Sequence, residues 1–302
     1  LAQDCSAVPE EYARLIQLFQ HTNQAFPFEG NRIAVYTEGY TKLQSLLREL
    51  QKAKQHIHME YYIFEDDAIG RLVRDVLIEK ASQGVEVRVI YDDVGCWHVP
   101  NRFFEEMRNA GIEVRSFLKV RFPLFTSRVN YRNHRKIVVV DGRIGFVGGM
   151  NLAERYMRGF SWGIWRDTHI LIEGKAVHGL QTAFLLDWYF VDRTLITASR
   201  YFPKIESCGN SLVQVVTSEP IGPWKEIMQG LTMAINGAKK YFYMQTPYFL
   251  PTEQVLAAMQ TAALAGVDIR LMLPERADNR ITHLGSHSYL RDVLQAGVKV
   301  YF

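Results

Sequence analysis

The chain has 302 residues, 48% of them hydrophobic and 22% charged, a balance that excludes a disordered polyelectrolyte and suits a folded protein with a sizeable core. At about 150 residues per domain, this length fits two domains or one large α/β unit. The formal net charge of +3, from 35 basic and 32 acidic residues, is too small to mark a general nucleic-acid binder, so an anionic partner has to be recognised locally.

The first residues, Leu1, Ala2, Gln3 and Asp4, include no initiator Met, no charged n-region and no apolar h-region, so no signal peptide is expected and the start reads as internal to a longer protein. Residues 1–30 are taken as a helical lead-in. Leu43, Leu46, Leu47, Leu50 and Ala53 fall on one helical face, whereas Ile57, Met59, Tyr61 and Ile63 alternate as in a strand. Periodicity then places helices near 68–82, 101–110, 176–192, 223–236, 252–265 and 286–295. Strands are expected near 85–91, 112–117, 136–140, 144–147, 212–216, 240–246 and 267–273. Alternating strands and helices argue for α/β layers, a mixed sheet with helices on both faces. The stretch 197–210, with Pro203 and Gly209, reads as a linker. Nothing approaches 18 uninterrupted apolar residues, so no transmembrane helix is expected within the chain. Cys5, Cys96 and Cys208 are far apart and in no metal-ligand spacing, which suits incidental thiols in a reducing compartment.

Two stretches match each other in sequence. Ala53-Lys54 followed by His56 to Phe64 corresponds to Ala238-Lys239 followed by Tyr241 to Phe249; Gly84-Val85 to Gly266-Val267; and Ala110-Gly111-Ile112 to Ala296-Gly297-Val298. Offsets of 185, 182 and 186 positions keep these pairs nearly in register, which argues for a duplicated unit. The expected organisation is a first half over 31–205 and a partial second half over 206–302.

The run from Tyr131 to Asn151 carries the chemistry. Side chains alternate along a strand, so His134 and Lys136 share one face, with Val138 and Val140 following inward. Asp141 has the wrong parity to join them, and Asp141-Gly142 between two apolar runs is a hairpin-turn signal that makes Asp141 a framework residue. Gly148 and Gly149 allow close backbone approach, and Asn151 offers an amide donor near an expected helix start.

His134, Lys136 and Asp141 stand as H-x-K-x4-D, followed by Gly148-Gly149-Met150-Asn151 as G-G-x-N, and this resembles the phospholipase D superfamily signature. Trp165-Arg166-Asp167 with His169, then Phe184 and Trp188, and the paired segments Glu60 to Phe64 and Gln245 to Phe249 resemble the bacterial cardiolipin synthase branch. The resemblance covers the chain from about Asn31 onward. It implies a phospholipase D-like fold of two pseudo-twofold halves, the second incomplete here. It implies catalysis by His134, Lys136 and Asp141, with Asn151, Gly149, Glu60, Gln245 and Asp167 toward the substrate.

The chemistry has its own logic. Neutral imidazole can attack phosphorus to give a phosphohistidine, and a second, protonated imidazole can act as general acid. Lys136 and Asn151 would hold nonbridging oxygens and stabilise transition-state charge. A carboxylate on the other imidazole nitrogen would set its tautomer, and Asp167 is the candidate. The sequence shows no Asp/Glu cluster of the kind that holds a catalytic divalent metal, and no cofactor is expected.

The family pattern uses two such motifs, yet His283 and His287 are followed at the second position by Gly285 and Tyr289, and no second H-x-K occurs. Gly111 precedes His134 by 23 residues, so a counterpart counted from Gly297 falls near position 320. The expectation is a fragment cut at both ends and inactive alone.

Between Glu113 and Asp141 lie Arg115, Lys119, Arg121, Arg128, Arg132, Arg135 and Lys136 with no acidic residue, interleaved with Phe117, Phe122 and Phe125. Such a segment suits an anionic lipid surface and would equally attract single-stranded nucleic acid; a solvated loop is the plain alternative. His56 and His58 share a strand face with Glu60, either as a metal set or, more in keeping with their setting, as packed polar residues. Trp165, Phe184 and Trp188 read as core. The resulting expectation is a phosphatidyltransferase on the bacterial cell membrane, acting on phosphatidylglycerol, with no nucleic-acid partner. The rivals are a phosphodiesterase or nuclease of the same superfamily and a non-catalytic lipid-binding relative.

Overall fold

The computed structural model describes residues 10–119, 132–161, 163–219, 222–276 and 280–302. In chain order the elements are α1 (Glu10–Asn23), β1 (Pro27–Tyr36), α2 (Gly39–Lys52), β2 (His56–Tyr61), α3 (Ala68–Ser82), β3 (Glu86–Asp92), α4 (Asn101–Asn109) and β4 (Glu113–Phe117). Then come β5 (Lys136–Val140), β6 (Ile144–Gly148), α5 (Arg155–Arg158), β7 (His169–Glu173), α6 (Val177–Asp192) and β8 (Ser211–Gln214). The last are α7 (Glu226–Gly237), β9 (Tyr241–Gln245), α8 (Glu253–Leu264), β10 (Asp268–Met272), α9 (Arg280–Ser288), α10 (Leu290–Gln295) and β11 (Lys299–Tyr301).

Two compact units result, Pro27–Val215 and Leu1–Phe26 with Val216–Phe302. The division therefore falls just beyond β8 rather than within 197–210, because β8 pairs antiparallel with β1. The helical lead-in belongs to the same unit as the C-terminal residues, where the Asn23 side-chain Oδ1 accepts from the Thr217 N–H at 3.0 Å.

In the Pro27–Val215 unit, eight strands form one mixed sheet in the order β4-β3-β2-β5-β6-β7-β1-β8. β2, β3 and β4 are parallel and the pairs from β2-β5 onward are antiparallel. Helices cover both faces, as the alternating pattern predicts. Leu43, Leu46 and Leu50 of α2, with Val73 and Leu77 of α3, bury Met59, Val89, Val138 and Phe146 on one side. On the other, Val177, Leu180 and Ala183 of α6 bury Ile137, Val139 and Ile172. β5 is buried along its whole length, which is why its sequence Lys-Ile-Val-Val-Val is almost continuously apolar. Asp67 caps α3, its carboxylate accepting from Ile69 and Gly70 N–H at 3.0 and 2.9 Å.

In the second unit β9, β10 and β11 form a parallel sheet over a core that includes Ile235, Met259, Leu271, Val293 and Val298. The duplicated sequence reappears as duplicated register: Met59 lies opposite Val89 on β2 and β3, and Met244 opposite Leu271 on β9 and β10. The single helix expected over 286–295 is two, α9 and α10. α9 is held from its side chains, Ser286 donating to Thr282 O at 2.9 Å and accepting from Phe249 N–H at 2.9 Å.

Candidate active site

β5 begins at Lys136, and His134 sits two residues upstream in extended chain. Lys136 is buried under the α2 face while His134 is exposed. The ammonium donates to the His134 carbonyl at 2.5 Å, fixing the turn of chain that presents the imidazole. Tyr62 lies against both: its ring centroid is 4.7 Å from that of His134 and 5.3 Å from Lys136 Nζ. Desolvation, with the nearby Lys136 charge adding to it, lowers the His134 pKa to about 4. The imidazole is thus neutral at physiological pH, the form able to act as a nucleophile or base. Burial also lowers Lys136 to about 7, opposed by Asp167, Asp92 and Glu60.

Asp167 packs directly over Gly149, where an added Cβ would come within 2.0 Å of the carboxylate, so this position excludes any side chain. Its Oδ1 accepts from Thr168 N–H at 2.7 Å, and burial raises its pKa against the pull of Lys136. Asp167 therefore bears on the lysine; what shifts His134 is desolvation by the protein atoms around its ring and the Lys136 charge. Asn151 is buried, its amide donating to Tyr156 Oη at 2.7 Å and its carbonyl oxygen accepting from Ile63 N–H at 3.1 Å. No helix starts at Asn151; α5 begins at Arg155, so the amide joins two segments rather than capping a helix.

Glu60 lies on the opposite face of the sheet, beneath α6. One of its oxygens accepts from Asn133 Nδ2, which also donates to Asp187 at 3.2 Å, and Asp187 pairs with Arg135. Burial, with Asp187 as a neighbouring acid, holds Glu60 well above the usual carboxylate range. This group grips Asn133 and Arg135, the residues on either side of His134. On the same face Gln181 links His56 and His58, accepting from or donating to their rings at 3.1 and 2.8 Å, and His58 stacks on Phe184. Among the described residues no set of three His, Cys, Asp or Glu side chains is arranged to hold a metal ion.

Asp141 stands at the far end of β5, about 16 Å along the strand from Lys136. Asp141 and Gly142 have φ of 52° and 65°, and Arg143 N–H closes the turn on Val140 O at 3.0 Å. The Asp141 carboxylate accepts from the backbone N–H groups of Lys54, Gln55 and His56 at 2.9, 2.8 and 3.0 Å. The structure thus gathers His134, Lys136, Gly149 and Asp167. It keeps Asp141 at the opposite edge as the turn parity predicts, puts Glu60 behind the sheet, and leaves Gln245 exposed at the end of β9 in the other unit.

Lys42 and Asp187 are site neighbours that sequence reading did not single out, whereas Tyr62 and His169 lie in the segments that carry the family resemblance. Lys42 could have been noticed as a cation within the apolar stripe of α2, and Asp187 as an acid beside Trp188. Of the basic stretch, Arg115, Lys119, Arg132, Arg135 and Lys136 are described; Arg121, Phe122, Phe125 and Arg128, with Tyr131, lie outside the described residues.

The sequence profile of the family described as "Cardiolipin synthase, PLD-like domain" matches residues 46–188 and 231–302. The chain belongs to this family. As a member of the cardiolipin synthase, PLD-like domain family it is 44% identical to a cardiolipin synthase of Geobacillus kaustophilus over 90% of its own length and 55% of that protein's. It is 42% identical to the major cardiolipin synthase ClsA of Bacillus subtilis over 95% of its own length and 60% of that protein's. The chain therefore spans a little over half the length of these curated relatives. The crystal structure of a phosphatidylserine synthase of Haemophilus influenzae overlays with a TM-score of 0.64 at 15% identity, covering 93% of this chain and 73% of that one, a likeness of fold.

Proposed function

We propose that the protein to which this chain belongs transfers a phosphatidyl group between two phosphatidylglycerol molecules and releases glycerol. The observation that carries this reading is a neutral, accessible His134 imidazole on a residue whose backbone carbonyl accepts from the buried Lys136 ammonium, in a family whose curated relatives are cardiolipin synthases. A ring nitrogen of His134 attacks phosphorus, the bond from phosphorus to the glycerol oxygen breaks, and a general acid protonates the departing alkoxide. The hydroxyl of a second phosphatidylglycerol then loses its proton and attacks phosphorus, and the phosphorus–nitrogen bond breaks. Lys136 neutralises the nonbridging oxygens through both steps. The general acid would be a second histidine from a repeat of the motif in the other half of the whole protein, and if the roles are exchanged His134 takes that part.

In this reading residues 31–205 are the first phospholipase D-like half and 206–302 part of the second. Asp167 and Asn151 shape the phosphate end of the site, Gln245 stands in the second repeat where Glu60 stands in the first, and Glu60 acts indirectly by holding Asn133 and Arg135. Arg115 and Lys119 open, in sequence, a basic stretch suited to the anionic surface of a bacterial membrane. No described helix is long and apolar enough to cross a membrane.

The test is to incubate the whole protein with phosphatidylglycerol in EDTA. Cardiolipin and glycerol should appear in equal amounts, with His134→Ala reducing the rate by at least about 10³-fold. Recovery of phosphatidic acid alone would replace the transferase with a hydrolase. Cardiolipin made at the wild-type rate by His134→Ala would remove the covalent step.

A further inference from the structure

His169 opens β7 and is wholly buried, yet neither ring nitrogen has a hydrogen-bond partner among the described residues. An unpaired buried polar atom forfeits its hydration with nothing in return, so two on one ring call for an explanation. The sheet register supplies one. Tyr61 lies opposite Lys136, and Gly148 lies opposite His169, which in turn lies opposite Tyr36. One step along the β5-β6 ladder from Ile137 and Val147 places Lys136 opposite Gly148. A single cross-sheet row therefore carries Tyr61, Lys136, Gly148, His169 and Tyr36 on the α2 face. Gly148 leaves the space between Lys136 and His169 empty of a side chain, and a Cβ there would sit 2.7 Å from His169 Nδ1.

Above this row α2 delivers Lys42, almost fully buried, whose ammonium donates to Tyr61 Oη at 2.9 Å. Lysine ammonium groups are donors only, with three N–H bonds each, whereas a neutral imidazole offers one acceptor nitrogen. Lys136 spends one donor on the His134 carbonyl and Lys42 one on Tyr61. His169, with no hydrogen-bond partner of its own among the described residues, is close enough to both lysines to feel their charges. Both lysines in turn disfavour its protonation, which keeps the acceptor lone pair available.

We propose that His169, Lys42 and Tyr61 are positioning residues for Lys136, a buried polar floor that aims its ammonium at the His134 chain and governs whether it carries a proton when a phosphate arrives. The phosphate role rests on the function proposed above; the positioning of Lys136 does not. The charged or titratable groups facing the cluster are Lys42 from α2, Tyr61 from β2, Lys136 from β5, Tyr36 from β1 (donating to Ser45 Oγ at 2.7 Å), Tyr156 from α5 and Asp167 before β7. Asp92 and Glu60 act on Lys136 from farther away.

The floor is tested by following the Lys136 13Cε resonance against pH in the lysine-labelled chain. Wild type should titrate near 7 rather than in the ordinary lysine range near 10.4. Lys42→Met removes a like charge and should raise the Lys136 midpoint by about one pH unit. His169→Leu removes the neutral acceptor and should lower it, with His169→Asn restoring the wild-type value. Opposite movements are the signature, because simple loosening of the fold would send both variants toward 10.4. Midpoints unmoved in both, movement in the same direction, or any other pattern overturns the proposal. Should either variant fail to fold, Tyr61→Phe decides: loss of one oxygen leaves Lys42 less well solvated and less often charged, so Lys136 should titrate higher. An unmoved midpoint there would equally overturn it. Failure of the functional reading would show separately, as absence of cardiolipin from wild-type whole protein while these titrations hold.

Discussion

At the scale of residues, the two groups that the proposed mechanism uses are both pushed toward their neutral forms by desolvation, and they constrain the pH dependence from opposite sides. Attack requires the free imidazole, so protonation of His134 near pH 4 should end activity on the acid side. Phosphate contact requires the ammonium, so its loss near pH 7 should end activity on the alkaline side. The kcat/KM profile of the whole protein should therefore hold between these limits and fall outside them. A bound phosphate stabilises the ammonium, so the alkaline limb of kcat should lie at higher pH than that of kcat/KM. A profile flat from pH 6 to 10 would show that Lys136 does not carry the charge. Lys136→Met should lose about 10²–10³ in kcat at pH 6.5, measured as cardiolipin formed per minute, because a neutral chain of similar length keeps the packing and removes the cation.

At the scale of elements, the hairpin of β5 and β6 shows how a family motif can divide between chemistry and scaffold. His134 and Lys136 both lie against Tyr62, whereas Asp141 ties three backbone N–H groups at the start of β2 to the turn. Asp141→Ala should cost about 1–3 kcal/mol of stability in urea unfolding and leave the activity per folded molecule nearly unchanged. A large loss of kcat in a fully folded variant would return Asp141 to the reaction itself. The same elements show what the sequence could reveal. β2, β5 and β6 are legible because both faces are buried and the period is carried by Ile, Val and Met. β1 is not, since Gly30, Asn31 and Arg32 interrupt its pattern and it exists by pairing with β7 and β8. α9 is masked by Thr282, Gly285 and Ser286, weak helix formers held in place by Phe249. His134 and Lys136 are legible because two residues on one strand make a local signal. Tyr62, Lys42 and His169 come from three other segments, and only the strand order brings them to Lys136.

At the scale of the molecule, the duplicated β-α-β pattern is unequal in its chemistry. His56, His58 and Glu60 on β2 correspond to Tyr241, Tyr243 and Gln245 on β9; the first three are buried, the second three exposed. Burial of neutral histidines is thus a property of the Pro27–Val215 unit, and it ties that unit's stability to pH. His58 is lowered to about 4, chiefly by desolvation, and His56, His134 and His169 also lie below the ordinary value. Between about 6.5, where unfolded histidine titrates, and about 4, the unfolded chain binds protons that the folded chain does not, so this contribution is present above the unfolded pKa and is lost as pH falls. Glu60, Asp92 and Asp167, raised by burial, act in the opposite sense, because the folded chain takes up their protons first. The wild-type slope therefore mixes both signs, and a single replacement separates them. His58→Gln keeps an amide beside Gln181 and removes the titration. Its stability relative to wild type should improve by about 2–3 kcal/mol as the pH is lowered from 7.5 to 4.5, read from paired urea titrations followed by tryptophan fluorescence. A difference that stays constant across that range would mean His58 is already free to protonate in the folded unit, and that the polar row beneath α6 is open to water.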